Sequence, residues 1–292
     1  MMRKKRVLIL GGSGMLGHKL VQCWQKRFEI FVTLRGGLEK FEKYRLFSLE
    51  KAITGINAEN FDSIIKAFVI AKPDVVVNCI GVIKQLKESK NPITTLNINS
   101  IFPHRLAGLC QAVGARLITI STDCVFNGRK GNYQETDISD AEDLYGKSKN
   151  IGEVSGENCL TVRTSIIGRE LGSSHSLVDW FLSNEGGRVK GFTKAIYTGF
   201  PTVVFAGILA DIIENQADLS GLWHISSEPI SKFDLLCLAR DAYQAKIEIE
   251  PDTEFFMDRS LNSDRFRQKT NFTPMSWPVM IKQMAADNDL YI

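Results

Sequence analysis

Short apolar runs that stop abruptly at glycine or polar residues recur along the first half of the chain, and between them apolar residues return at helical spacing. Arg6–Leu10 (RVLIL) ends in glycines, as buried parallel strands do. Leu16, Leu20, Cys23 and Trp24 follow at helical intervals. Glu29–Leu34 (EIFVTL) reads as a second strand and Asn60–Lys72 as a helix. Residues 73–81 (PDVVVNCIG) read as a strand with a glycine at its carboxyl end. Residues 91–113 carry a helical pattern that Pro103 should kink or split, and Arg116–Ser121 (RLITIS) is a further buried strand. A helix around Tyr145 and a strand at Cys159–Arg163 complete this half. Alternating strand and helix predicts an α/β fold, with a doubly wound parallel sheet.

Past Thr164 the rhythm changes. SSHSLVDWFLS and TVVFAGILADIIENQ look helical and are separated by the glycine-bearing GGRVKGFTKAIYTGFPT. From Gly221 come a short strand (LWHIS), a helix (SKFDLLCLARDAYQ) with Ser231 as N-cap, then IEIEP and a mixed tail. The pattern predicts a nucleotide-binding domain over 1–165, to which segments near 196–220 return. A smaller, mixed α/β substrate lobe is expected from 166–195 and 221–292.

Gly11-Gly12-Ser13-Gly14-Met15-Leu16-Gly17 lies between the first strand and the first helix. Strand, glycine turn and helix in that order form the opening of a Rossmann-type dinucleotide-binding unit. The spacing G-x-x-G-x-x-G still lets the backbone approach a pyrophosphate at a helix N-terminus. Arg35 stands just past the second strand, where an acidic residue would bind a ribose 2′-hydroxyl and an arginine suits a 2′-phosphate. NADPH is therefore the expected cofactor, with NADH as the alternative.

Ser121–Lys149 carries the chemistry. Thr122 stands at a strand end, and Tyr145 and Lys149 lie four residues apart, on one face of a helix. A phenol titrates near ~10, and a neighbouring cation favours the phenolate. Hydroxyl, phenol and ammonium together suit proton transfer in a carbonyl/alcohol interconversion.

Composition narrows the partners. A formal charge of +3 over 292 residues is too small to argue for nucleic acid, and MMRKKR reads as a solvated end. Six cysteines lie scattered with no C-x-x-C pair, which fits a reducing compartment. VLIL is too short for a signal-peptide core, and no apolar run has membrane length. A cytoplasmic protein is expected. The acidic loop Asp137–Asp143 reads as a solvated approach to the Tyr145 helix rather than a metal site, and no metal is expected.

In this order the motifs resemble the extended short-chain dehydrogenase/reductase family, most closely the dTDP-4-dehydrorhamnose reductases and related sugar-nucleotide enzymes. The resemblance covers nearly the whole chain. GGSGMLG is similar to the family's glycine turn, PDVVVNCIG to its P-D-V-V-[IV]-N-x-A-[AG] strand, and Asn99-Ser-Ile-Phe-Pro103 to N-x-x-x-P. STDCVFNGRKGNYQETD resembles S-T-D-Y-V-F-D-G…Y-x-E-x-D, and YGKSKNIGE resembles Y-G-x-[ST]-K-x-x-G-E. VRTS, GFPT, GLWH and RSLNS correspond to motifs of the second lobe.

The resemblance implies NADPH-dependent reduction of a 4-keto-6-deoxy nucleotide sugar in deoxysugar and polysaccharide biosynthesis. It assigns Thr122, Tyr145 and Lys149 to catalysis. The cofactor would meet Gly11, Ser13, Gly14, Met15, Leu16, Gly17, Arg35, Cys79, Ile80, Gly81, Asn99, Tyr145 and Lys149. The sugar nucleotide would meet Val82, Thr122, Asp123, Cys124, Thr164, Arg259 and Asn262. A homodimer is left open.

Two departures carry alternatives. Cys124 stands where the nearest relatives have tyrosine and where the dehydratase branch has a glutamate, which argues against a dehydratase. GDP-fucose synthases, which epimerise and then reduce, carry cysteine there and pair it with a histidine. Ser173-Ser174-His175 lies at a comparable distance, so Cys124 and His175 could exchange protons beside the keto group in an epimerase or epimerase/reductase. Ser260 replaces the proline of R-P-x-N-S, and Ala141-Glu142-Asp143-Leu144 replace the usual residues before the tyrosine, which puts a rhamnose product in doubt. A catalytically silent NADPH-binding subunit that regulates a partner enzyme is the third reading.

Overall fold

The computed structural model describes residues 3–84, 87–172 and 174–291. In chain order the strands and α-helices are β1 (Arg6–Leu10), α1 (Met15–Trp24), β2 (Glu29–Thr33), β3 (Ala52–Ile53), α2 (Phe61–Ala71), β4 (Val75–Asn78), α3 (Pro92–Leu96), α4 (Phe102–Val113), β5 (Arg116–Thr122), α5 (Leu144–Ile151) and β6 (Cys159–Thr164). They continue as β7 (Ile166–Ile167), α6 (Leu177–Leu182), β8 (Arg188–Tyr197), β9 (Phe200–Pro201), α7 (Thr202–Asn215), β10 (Gly221–His224), β11 (Ile230–Ser231), α8 (Lys232–Tyr243), β12 (Glu248–Asp258), α9 (Asp264–Thr270) and α10 (Trp277–Ala286). Two compact units result. The first holds residues up to Ser121 with Ala141–Val162 and Ala206–Leu222, and the second holds Thr122–Asp140, Arg163–Phe205 and Trp223 onward.

The first unit is built on the expected Rossmann-like parallel sheet of seven strands, ordered β10-β6-β5-β4-β1-β2-β3. Val7–Leu10 and Val75–Asn78 are fully or nearly fully buried, which is why both read as continuous apolar runs rather than alternating ones. The chain leaves β1 toward β2 on one side and later returns to β4 on the other, so the strand order reverses between β1 and β4. Crevices at such switch points hold ligands. Leu10 pairs with Asn78 across this junction, so the glycine turn and Cys79 leave the sheet at one level.

Residues 91–113 are helical nearly throughout, but the interruption differs from the one expected at Pro103. The run passes from α3 through a π-helical turn at Asn97–Ile101 into α4, and Pro103 sits in the first turn of α4. Proline lacks an N–H and crowds the preceding turn. Here the widened turn before it absorbs that defect. Wide turns of this kind are frequent at functional sites.

The second unit carries the smaller mixed sheet, β11-β8-β12. The glycine-bearing stretch that hydrophobic patterning leaves without an element is its central strand, β8. It pairs parallel with β12 and antiparallel with β11. Phe181, Val189, Leu236, Ala239 and Ile247 form a core beside it. Val125, Phe126, Tyr133 and Leu261 form another, in which the Phe126 and Tyr133 rings stack 4.1 Å apart.

Each unit buries a histidine. The His18 ring lies 2.8 Å from the Gly14 carbonyl and the His224 ring 3.0 Å from the Tyr133 carbonyl. Burial lowers their pKa values from 6.5 to about 4 and about 3, respectively. On acidification the unfolded chain takes up these protons near pH 6.5, while the folded chain resists until about pH 4 or 3. Stability from this source is complete above pH 6.5 and falls below it, by about 3 kcal/mol per ring at pH 4. The urea midpoint is expected to drop between pH 7.5 and pH 4.5, and to drop less in His18→Gln. An unchanged pH dependence in that variant would remove His18 from the account.

Candidate active site

In the first unit the glycine turn is shaped by its neighbours. Gly11 has φ +83, which a side chain would strain, and its N–H donates to the Thr33 hydroxyl at 3.1 Å. A Cβ at Gly12 would lie 2.0 Å from Val32 Cγ2, and one at Gly17 would lie 2.2 Å from the Gly11 carbonyl. Gly14 differs: it is exposed, a Cβ there would meet only the Gly11 carbonyl at 3.4 Å, and it is the N-cap of α1 without a side-chain cap. Gly12 and Gly17 are thus needed for packing and Gly11 for its backbone angle. Gly14 bares the first amides of α1, with Ser13, Met15 and Leu16 around them. A pyrophosphate fits this arrangement. Arg35 is exposed just beyond β2.

The end of β4 adjoins this turn. A Cβ placed on Gly11 would lie 3.0 Å from Ile80 Cγ1 and 3.2 Å from the Cys79 carbonyl carbon. Asn99, on the π-helical turn, fastens the Gly81–Val82 loop beyond it. The Asn99 Oδ1 accepts from Val82 N–H at 2.8 Å, and Nδ2 donates to the Val82 carbonyl at 3.0 Å and to the Ser148 hydroxyl at 3.2 Å. This side chain therefore clamps the loop to α5.

Helix α5 starts where Asp143 accepts from Gly146 N–H at 2.7 Å. Tyr145 follows, half-buried. Lys149 is half-buried, and its ammonium donates to the Ile120 carbonyl at 2.7 Å. Burial lowers its pKa from 10.5 to about 8, against the opposing pull of Glu153 and Cys79. Cys79 thus faces Lys149 electrostatically, which joins the β4 end to α5. Burial in turn pushes the Cys79 thiol up to about 12. A further cation escaped sequence reasoning: Lys84 lies 5.5 Å from the Tyr145 ring centroid and is ion-paired with Asp143 at 2.6 Å. No motif marks it, because the loop after β4 brings it there.

In the second unit Thr122, Asp123 and Cys124 form the turn at the end of β5. The Thr122 hydroxyl accepts from Cys124 N–H and donates to Asp123 Oδ1, both at 3.1 Å. Burial raises the Asp123 carboxyl pKa, while the charge of Arg259 pulls it down. The Arg259 guanidinium donates to Cys124 Sγ at 3.4 Å. Thr164 is buried with its hydroxyl toward the Ser165 carbonyl, and Asn262, two residues before α9 begins, accepts from Asp264 N–H at 2.9 Å. His175 is exposed, with its backbone N–H on Glu170 at 2.9 Å. Ser173 of the same segment lies outside the described residues.

The acids of the loop before α5 have structural partners. Asp137 accepts from Lys130 and from Gln134 N–H, Asp140 accepts from Asn127 N–H, and Asp143 caps α5. Among the described residues no helix is long and apolar enough to cross a membrane.

A family model described as the RmlD substrate binding domain matches residues 5–287. "Methionine adenosyltransferase 2 subunit beta" of Rattus norvegicus is 27% identical over 253 residues, 82% of this chain and 72% of that protein. A dTDP-4-dehydrorhamnose reductase of Streptomyces griseus is 32% identical over 152 residues, 51% of this chain and 44% of that protein. A dTDP-4-dehydrorhamnose reductase of Bacillus anthracis, solved in complex with NADP, superposes with a TM-score of 0.80 at 19% identity, covering 97% of this chain and 99% of that one.

Proposed function

The chain belongs to the RmlD substrate-binding-domain family, and on that footing we propose that it is an NADPH-dependent reductase of a 4-keto-6-deoxy nucleotide sugar. The observation that carries this reading is the meeting of Gly11, the end of β4 and the Tyr145/Lys149 helix at the switch point of the parallel sheet. In this reading the first unit holds the dinucleotide and the second supplies the sugar contacts.

Residues Gly11–Gly17 would hold NADPH, which would supply the hydride for the keto carbon. Tyr145 gives its phenolic proton to the carbonyl oxygen as charge develops there. Lys149, lowered to about 8, stays mostly protonated at neutral pH and lies close enough to its pKa to restore the proton to Tyr145. In the second unit the Thr122 hydroxyl, which donates to Asp123 at 3.1 Å, is a donor of the kind that steadies a developing oxyanion. The decisive assay mixes the protein with NADPH and a panel of 4-keto-6-deoxy nucleotide sugars. Loss of absorbance at the nicotinamide band is expected with at least one sugar, and no loss with any of them would overturn the reading.

Arg35 carries the cofactor preference. A charge-assisted hydrogen bond to the 2′-phosphate is worth about 1.5–3 kcal/mol, so Arg35→Asp is expected to raise KM for NADPH by about ten- to a hundredfold and to improve NADH. Titration of both nucleotides against the two proteins checks this, and equal preference in both would remove Arg35 from the site.

A second reading has one observation in its favour, the likeness to a protein named as a subunit of methionine adenosyltransferase. In that reading the chain binds a dinucleotide and acts on a partner enzyme. The presence of Thr122, Tyr145 and Lys149 in this sequence favours catalysis, since a binding subunit does not need a phenol and an ammonium four residues apart on one helix.

A further inference from the structure

We propose that Lys84 is a positioning residue for the Tyr145 phenol, and that its ammonium, latched over the ring by Asp143, readies that phenol to release a proton. The proton's destination rests on the reductase reading, but the latch itself does not.

Three contacts within the first unit build the latch. Lys84 Nζ lies over the Tyr145 ring, 5.5 Å from its centroid, and donates to Asp143 Oδ2 at 2.6 Å. The other oxygen of the same carboxylate, Oδ1, accepts from Gly146 N–H at 2.7 Å. Asp143 is thus the N-cap of α5 and the tether of Lys84 at once. Asn99 steadies the loop from which Lys84 projects, by binding both the N–H and the carbonyl of Val82. The ammonium therefore reaches the ring from outside the helix, while Lys149 belongs to it.

An ammonium over a ring face is attracted by the negative face of the ring's quadrupole. When the phenol ionises, negative charge spreads into the ring, so the attraction grows and ionisation is favoured. The Asp143 carboxylate works against this, since it repels a phenolate. Its effect is weakened because Oδ1 is answered by an amide at the positive end of α5. Tyr145 itself stands in the first turn of α5, where the same partial charge favours a phenolate.

The other ionisable groups of the neighbouring elements do not duplicate this contact. On the segment that carries Tyr145, Glu142 and Lys147 are exposed, and Lys149 donates to the Ile120 carbonyl. At the end of β4 burial pushes the Cys79 thiol up to about 12, so it is neutral at pH 7. The π-helical turn and α3, both packed on α5, carry no ionisable side chain. Lys90, at the end of the 3₁₀ turn Lys87–Lys90, is exposed. Lys84 and Asp143 are 36% and 44% exposed, so salt loosens their pairing, whereas the half-buried Lys149 is screened less.

Tyrosinate absorbance in the near ultraviolet, followed across pH in the wild-type protein and in Tyr145→Phe, isolates Tyr145 as the difference between them. Burial raises Tyr197, Tyr243 and Tyr291, which keeps those three out of the range. The Tyr145 midpoint is expected below the ordinary phenol value near ~10. In Lys84→Met, read against the double variant that also carries Tyr145→Phe, it should rise by about half a unit or more. Lys84→Arg should return most of that rise. Salt at about 1 M, where the Debye length is ~3 Å, should lift the wild-type midpoint toward that of Lys84→Met and move Lys84→Met less. A midpoint indifferent to Lys84→Met, or one that Lys84→Arg leaves as high as Lys84→Met does, would overturn the latch. With the keto sugar as substrate, kcat in Lys84→Met should fall about two- to threefold at unchanged KM for NADPH, since a weaker acid gives up its proton more slowly. A raised midpoint with kcat unchanged would overturn the positioning role. A raised midpoint in a protein whose parent reduces no sugar at all would overturn the reductase reading and uphold the latch.

Discussion

A Tyr145→Phe protein should still bind NADPH but reduce its keto sugar at least about a hundredfold more slowly, since a positioned general acid contributes about 10²–10⁴. The change removes one oxygen from a half-buried ring and leaves the Asp143 cap and the Asn99–Ser148 contact untouched. Stability should therefore stay within about 0.5 kcal/mol of the parent. The loss should fall on kcat, with KM for NADPH little changed, because the proton is given in the transition state. Full activity in the variant would refute the proton-donor assignment. Retained activity with a shifted pH profile would point to a different donor, and Lys84, which lies over the same ring, would be the first residue to substitute.

Gly152→Ala should be the most damaging small substitution for the fold. A Cβ at Gly152 would lie 1.8 Å from the Asn99 carbonyl oxygen and 2.9 Å from its carbon, so either α5 or the π-helical turn must move. Overpacking of this kind costs about 1–3 kcal/mol, and a backbone obstacle argues for the upper end. The same substitution at Gly108, exposed on α4 with nothing within 4 Å of its added Cβ, should instead stabilise by about 0.5–1 kcal/mol. Urea melts of the two variants would read opposite displacements from the parent. Equal melts would mean that α5 and the π-helical turn are not in the contact described.

How far the chain could be read beforehand depends on which contacts are local. The β1–turn–α1 unit was legible because its signals, an apolar run, glycine spacing and helical periodicity, lie within about twenty residues. Tyr145 and Lys149 were legible for the same reason, since four residues on a helix need no tertiary knowledge. Strand β8 was not, because Gly186, Gly187, Gly191 and Gly199 interrupt or flank it. Its identity as a central strand comes from partners some sixty residues on in β12 and about thirty on in β11. Nor could spacing reveal that Asn99 spends its side chain on Val82 and Ser148, that Lys84 reaches Tyr145, or that Arg259 meets Cys124 across 135 residues. Pro103 was read as a breaker from its own chemistry, while the structure puts the irregularity one turn earlier, where widening costs less than a missing bond inside α4.

The Asn99 contacts also bear on anyone who would graft or retune this scaffold. One side chain ties the loop after β4 to α5 through three hydrogen bonds. Loop and helix would have to be transplanted together with the wide turn between them. The exposed Arg35, just beyond β2, shares in none of these three bonds. On the proposed reading, cofactor choice would be exchanged like a cartridge at the end of β2, while the helix that carries Tyr145 and Lys149 would come only as part of a three-piece assembly.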